Sequence, residues 1–171
     1  MDHFALAGDS LAVAKREGRL HRNFQGYSTM PNCDLVGLGV SAIGRIGTTH
    51  AQNAKDLPTY QDLLARGRLP VVRGLALGDD DLVRRDAIMA LMCRGALDHG
   101  DIERRHGGAF EDRFAAELAE LRHFEDAGLV ELHPRRVHVT PAGWHVVRSI
   151  AMVFDTYLRR PGGTTRFSRI G

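Results

Sequence analysis

The hydrophobic positions of this chain change period near residue 78. Downstream of Gly78 they recur about every 3.6 residues, the spacing of one face of a helix. Val83, Ala87, Ala90 and Leu91 trace one such stripe, and Phe110, Phe114, Leu118 and Leu121 trace a second. Glu117, Glu120 and Arg122 are expected to face water on that second helix, which Gly128 ends. Upstream the pattern is extended. A polar half, Arg22 to Asp34, leads into the almost uncharged run Leu35, Val36, Leu38, Val40 and Ile43, which reads as a strand buried on both faces. Gly37, Gly39, Gly44 and Gly47 would each weaken such a strand by about half a kcal/mol, so they point to close approach of another backbone or a ligand.

Local signals place the other elements. Asp9 or Ser10 caps a helix through Leu11 to Ala14, and Asp2, His3 and Phe4 resemble the end of a buried strand. After a turn at Thr48 and Thr49, HAQN can form a short strand. Pro58 opens a helix that runs through Tyr60 and Leu64 to Gly67, and LPVVRGLAL reads as an extended connector. Asp79 to Asp81 put carboxylates at a helix start, where the macrodipole favours them. A short helix covers Asp101 to His106, and LVELHPRRVHVT reads as a hairpin. Thr140 and Pro141 open a last helix with Trp144, Val147, Ala151, Phe154 and Leu158 on one stripe, followed by a Gly- and Arg-rich tail expected to be mobile.

Composition adds limits rather than a function. With 171 residues, 43% hydrophobic and 26% charged, the chain can bury a real core. A net charge of +2 is too small to argue for a nucleic-acid partner by itself, and arginine supplies nearly all of the basic side, Lys15 and Lys55 being the only lysines. Cys33 and Cys93 are too far apart for a paired-cysteine metal or redox motif. No signal-peptide pattern and no membrane-length apolar run is present, so a cytoplasmic monomer with no membrane partner is expected.

Three helices, a hairpin and a closing helix after Gly78 give a winged-helix-like order, with His133, Arg135 and Arg136 at the wing. The helix that would enter DNA carries Glu111, Asp112, Glu117, Glu120, Glu125 and Asp126, which repel phosphates, so a contact role is preferred to nucleic-acid binding. His133 and His138, five positions apart, are expected on opposite faces of an extended segment, and no histidine has metalloprotease spacing.

Several separated blocks carry more information than their periodicity. NFQGYST, DLVGLGVSAIG, ALGDDDLVRRDAI, GLVEL with VTPAG, and FDTYLRR occur in this order over nearly the whole chain. Together they resemble the C-terminal part of oxygen-independent coproporphyrinogen III oxidase (coproporphyrinogen dehydrogenase). The haem chaperones of the same superfamily look similar around Asn53 to Leu64 but lack the NFQGYST block. The resemblance implies haem biosynthesis, in which coproporphyrinogen III, the substrate, loses two propionates by oxidative decarboxylation to give protoporphyrinogen IX. It also implies radical chemistry with S-adenosylmethionine and a [4Fe-4S] cluster. In that family three cysteines spaced C-x-x-x-C-x-x-C on an N-terminal partial (β/α) barrel hold the cluster, and this sequence has no such motif. The chain is therefore expected to be an inactive C-terminal fragment whose missing partner is the barrel.

The fold class that follows is α+β. Residues 1–68 are expected to extend the radical-enzyme sheet and finish its active-site wall, and residues 69–171 to form a mostly helical, winged-helix-like cap. By resemblance Gln25 and Ile43 contact S-adenosylmethionine. Arg22 is a candidate for a substrate propionate because its planar fork suits carboxylates. No catalytic residue and no metal ligand is assigned to this chain.

Overall fold

The computed structural model describes residues 4–30 and 33–158, a mixed α and β chain. In chain order the elements are α1 (Ser10–Arg16), β1 (His21–Asn23), β2 (Gly26–Ser28), β3 (Ile43–Ile46), β4 (Thr49–Asn53), α2 (Leu57–Ala65), β5 (Val71–Ala76) and α3 (Asp79–Arg94). There follow β6 (Ala96–Asp98), α4 (His99–His106), α5 (Phe110–Arg113), α6 (Ala115–Asp126), β7 (Val130–His133), β8 (Arg136–Val139), a 3₁₀ turn at Gly143–Val146 and α7 (Val147–Met152). No helix among the described residues is long and apolar enough to cross a membrane. The chain divides into two compact units, one made from Met1–Leu20 with Val83–Gly171 and the other from His21–Leu82.

The unit His21–Leu82 holds an antiparallel hairpin, β1–β2, and an antiparallel sheet in the order β3-β4-β5. Helix α2 starts at Leu57 and Pro58 as expected, and Asp56 caps it: the Thr59 hydroxyl and then the Thr59 amide, at 2.8 Å, donate to its carboxylate and hold its pKa below the ordinary value. Two expectations fail here. The run Leu35 to Ala42 is not a buried strand. Only Leu35 pairs, its backbone exchanging two 2.7 Å hydrogen bonds with Arg45, and Val36 and Leu38 are 69% and 85% exposed. Gly39 and Ser41 have positive φ, which breaks the extended path, and the chain folds back on β3. The close approach inferred from the glycines is real. A Cβ on Gly44 would lie 2.7 Å from the Leu35 carbonyl, and one on Gly37 would lie 3.0 Å from the Gly44 nitrogen.

The second failure is the connector Leu69 to Leu77, whose middle is a sheet strand, β5, paired along β4. Its alternation was hidden by adjacent Val71 and Val72, where the register slips beside Asn53. The outer edge of β3 is occupied by Leu35, so the open edge of the sheet lies on β5 rather than on the Leu35 to Ile43 run.

The other unit contains nearly all of the core. Phe110, Phe114 and Phe154 form an aromatic cluster with centroids 4.7 and 5.2 Å apart, around which Leu91, Leu97, Leu121, Val137 and Ile150 are buried. The stripe Val83, Ala87, Ala90 and Leu91 is buried as its spacing predicts. Asp9 caps α1 by accepting from the Leu11 amide at 2.8 Å. Phe4, in contrast, is 97% exposed and in no strand, while Asp2 and His3 lie outside the described residues.

The amphipathic helix from Phe110 to Leu121 is interrupted at Phe114, whose ψ of 26° separates α5 from α6 while its ring sits between Phe110 and Phe154. Glu117 does not face water. It is 6% exposed and accepts a 2.7 Å ion-paired hydrogen bond from Arg84. β8 pairs with β7 as expected and also with β6, giving the order β6-β8-β7. The last helix is shorter than its stripe: Gly143 passes so close to the Leu129 carbonyl that the chain tightens into a 3₁₀ turn before α7. Thr140 Oγ1 caps that turn, accepting from the Gly143 amide at 3.1 Å. The tail from Arg159 lies outside the described residues.

Candidate functional site

The sheet β3-β4-β5 has two chemically different faces. Ile43 stands opposite Gln52 and Gln52 opposite Arg73, so these three side chains share one face, in one row across the strands. Arg45, His50 and Leu75 form the next row on that face. The other face presents Gly44, Ala51 and Gly74 in register, flanked by Ile46, Thr49 and Ala76. It also carries Asn53, whose side-chain amide donates to the Gly37 and Gly39 carbonyls at 3.0 and 2.9 Å and holds the loop before β3. A two-residue turn at Gly47 and Thr48 joins β3 to β4. Gly47 supplies a φ of 55°, and its amide donates to Asp34 at 2.8 Å.

The β1–β2 hairpin reaches the polar face. The Asn23 side chain accepts from the Gln25 amide at 2.8 Å, an Asx turn that shapes the tip, and Phe24 at that tip meets the His50 ring edge-on, 5.2 Å between centroids. Gln25, the next residue, is exposed, and Ile43 is half-buried on the face that His50 shares. The tip bearing Gln25 thus lies on the same face of the sheet as Ile43. Arg22 is placed differently. It stands across from Tyr27 with its guanidinium 5.5 Å from the ring centroid, a cation–π contact that supplies a structural role by itself.

Sequence reasoning passed over Gln52 and Arg73. The signal was available in THAQN and VVRGLA, where Gln52 and His50 alternate with small residues and Arg73 alternates with Gly74. Reading residues 69–77 as a connector concealed it. Gln52 Nε2 donates to the Ser41 carbonyl at 3.3 Å and Arg45 to the Cys33 carbonyl at 2.8 Å. The Arg73 guanidinium makes no hydrogen bond or ion pair among the described residues.

Other polar clusters are structural or shallow. Glu131, His133, Arg136 and His138 line an open cleft of about 250 Å³. The hairpin reverses the chain between the two histidines and pairs Glu131 with His138 and His133 with Arg136, so all four project from one face. The expectation of opposite faces fails because it ignored the turn. At the wing tip Arg135 donates to Glu103 at 2.5 Å, which raises the Arg135 pKa, and Glu103 is held below its ordinary value first by the Phe110 amide, which donates to it at 2.9 Å, and then by Arg135. Buried His99 bonds Glu111 through Nδ1 at 2.8 Å and stacks on Phe110. No group of three or more metal-ligating side chains occurs among the described residues.

Comparison with known proteins gives a consistent set of relatives. Residues 77–146 match the family model described as HemN C-terminal domain. The chain is 46% identical over 170 residues to an oxygen-independent coproporphyrinogen III oxidase of Escherichia coli (strain K12), covering 99% of this chain and 37% of that protein. The oxidase of the same name from Pseudomonas aeruginosa is also 46% identical over 170 residues, and that from Thermostichus vulcanus is 45% identical over 166. The chain thus spans about a third to a half of the length of these relatives, 37% and 51% at the two ends. A solved structure of coproporphyrinogen III oxidase (HemN) from Escherichia coli, described as a radical SAM enzyme, superposes with a TM-score of 0.86 at 47% identity, covering 92% of this chain and 36% of that one.

Proposed function

Because the chain belongs to the oxygen-independent coproporphyrinogen III oxidase family, as its C-terminal portion, we propose that it completes the active-site chamber of a radical S-adenosylmethionine oxidoreductase of porphyrin biosynthesis. The whole enzyme then oxidatively decarboxylates two propionates of coproporphyrinogen III to vinyl groups, giving protoporphyrinogen IX. Each propionate releases its carboxylate carbon as CO₂ and passes one hydrogen, with two electrons in all, to S-adenosylmethionine, which would be cleaved to methionine and 5′-deoxyadenosine. One observation above the others supports this reading: 46% identity across 99% of the chain to an oxidase of that name.

The residues present do not fit a [4Fe-4S] cluster. The chain has two cysteines, Cys33 exposed in a loop and Cys93 buried in α3, and no third thiolate to join them. The cluster therefore belongs to the part of the family enzyme outside this chain, and the chain alone is expected to be inactive. S-adenosylmethionine fits better, since Gln25 offers a side-chain amide at an exposed tip and Ile43 an apolar floor on the same sheet face. These are the residues that would hold it. Arg22 is kept as a propionate contact, with its place over Tyr27 as the competing structural role.

In this reading the sheet β3-β4-β5 extends the sheet of the radical enzyme. The exposed apolar side chains Val36, Leu38, Ile46, Val71 and Val72 are where the rest of the enzyme packs. The helices α3 to α6 with the β6-β8-β7 sheet act as a winged-helix-like contact module, the acidic surface of α6 disfavouring nucleic acid.

A hybrid tests the proposal. Grafted in place of the corresponding portion of the Escherichia coli oxidase, this chain is expected to restore anaerobic conversion of coproporphyrinogen III, followed by chromatography of the porphyrins. Gln25→Ala in the hybrid should lower kcat/KM on the order of tenfold or more, about 1.4 kcal/mol of transition-state stabilisation. A hybrid that holds its cluster and still forms no protoporphyrinogen IX would sink the reading.

A further inference from the structure

We propose that Arg73 is the anchor for a carboxylate of an amphiphilic ligand lying across the β3-β4-β5 sheet. Arg73 ends the row Ile43, Gln52, Arg73, two strand spacings or roughly 10 Å from Ile43. It is exposed, and no hydrogen bond or ion pair holds its guanidinium among the described residues. Its neighbours on the face are committed elsewhere, Arg45 to the Cys33 carbonyl and the Gln52 amide to the Ser41 carbonyl. The backbone beside it is irregular, since the β4–β5 register slips between Gln52 and Asn53. Such bulges bend a strand and re-aim its side chains, and they recur beside binding sites.

The composition of the face specifies the ligand chemistry. Ile43 and Leu75 give it apolar floor, the hairpin tip at Phe24 bounds it, and Arg73 gives one uncommitted planar fork that can grip a carboxylate by two parallel hydrogen bonds. A ligand with an apolar body and a peripheral carboxylate satisfies both. That the carboxylate is a propionate of the tetrapyrrole rests on the function proposed above; that Arg73 grips a carboxylate rests on the row itself.

The test uses the full 171-residue chain and two probes, coproporphyrin III and its tetramethyl ester, followed by fluorescence anisotropy. Arg73→Gln is expected to raise the Kd for the free acid on the order of tenfold. Arg73→Lys should fall between, because it keeps the charge and loses the fork. Ester binding should be the same in all three proteins, and Arg68→Gln, an exposed arginine outside the row, should bind both probes like the parent. Equal Kd values for the parent and Arg73→Gln overturn the proposal. So does equal weakening toward the ester, or a parent chain that fails to bind the free acid, since the face is open in this chain.

The hybrid enzyme separates this from the broader reading. If the parent hybrid turns over and Arg73→Gln changes neither KM nor probe binding, Arg73 is excluded and the proposed function stands. If the chain binds the free acid through Arg73 and the hybrid never turns over, the carboxylate site stands and the proposed function does not.

Discussion

Glu117 sits on a helix whose sequence assigns it to solvent, yet its carboxylate is buried against Arg84 at 2.7 Å, with side-chain exposures of 8% and 15%. Arg84 also lies 5.2 Å from the Phe114 ring centroid. Removing the carboxylate alone leaves a buried guanidinium, so Glu117→Ala is expected to cost about 3–5 kcal/mol in urea unfolding. The double variant Arg84→Met, Glu117→Leu should recover most of that loss, because replacing a whole buried pair by apolar side chains is often neutral. Asp86 gives a pH-dependent counterpart. Burial opposes its ionisation, but the hydrogen bond from His106 and the charge and hydrogen bonds of Arg85 outweigh it, so its pKa is lowered from 3.8. A lowered folded pKa contributes stability that is present above the unfolded value and lost as pH falls through the folded one. Stability should therefore decline below about pH 4, and Asp86→Asn should flatten that acid limb while costing about 1–2 kcal/mol at neutral pH. Urea titrations across pH check both parts.

At the scale of elements, caps were legible because capping is local. Asp9 and Thr140 each satisfy amides two or three residues away, so no distant contact is needed to read them; Asp56, which the sequence reading did not name, does the same for α2. Lengths were not legible. The last helix carries an apolar stripe to Leu158, but regular α-helix ends at Met152, and the start is tightened where Gly143 meets Leu129. A Cβ on Gly143 would stand 1.9 Å from the Leu129 carbonyl. Gly143→Ala is therefore expected to cost about 3 kcal/mol, read as a fall in Tm, since backbone cannot yield as a flexible side chain can. Gly8→Ala, where nothing lies within 4 Å, is the neutral comparison. β6 escaped notice because three residues, Ala96 to Asp98, carry no period, and only pairing with β8 makes them a strand.

Over the whole molecule the buried apolar side chains are unevenly shared. Apart from Pro70, Ala54 is the one buried apolar side chain between His21 and Leu82 among the described residues, and the aromatic cluster and its neighbours belong to the other unit. Burial of apolar surface is the main source of protection against local opening. Amides of β5 and of the loop before β3 should exchange at least tenfold faster than those of α3 and β8 in a hydrogen-exchange experiment, and limited proteolysis should cut first within 33–42. Protection of β5 equal to that of α3 would contradict this division. The proposed packing of the rest of the enzyme on Val71 and Val72 predicts that β5 protection rises in the hybrid enzyme.

The sequence by itself determined the α+β class, the change of period near Gly78, the capped helix starts and, through its ordered blocks, the family. These depend on interactions within a few residues or on residue identity alone. Only the tertiary structure decided that Leu35 to Ala42 is a folded-back loop, that β5 belongs to a sheet, that Glu117 is paired in the core, and that His133 and His138 share a face. Each depends on strand register or on a partner 33 positions away in the case of Arg84 and Glu117, and periodicity along one segment has no access to either. The same register puts Arg73 in line with Ile43, and the contact of Phe24 with His50 brings the hairpin tip to that face.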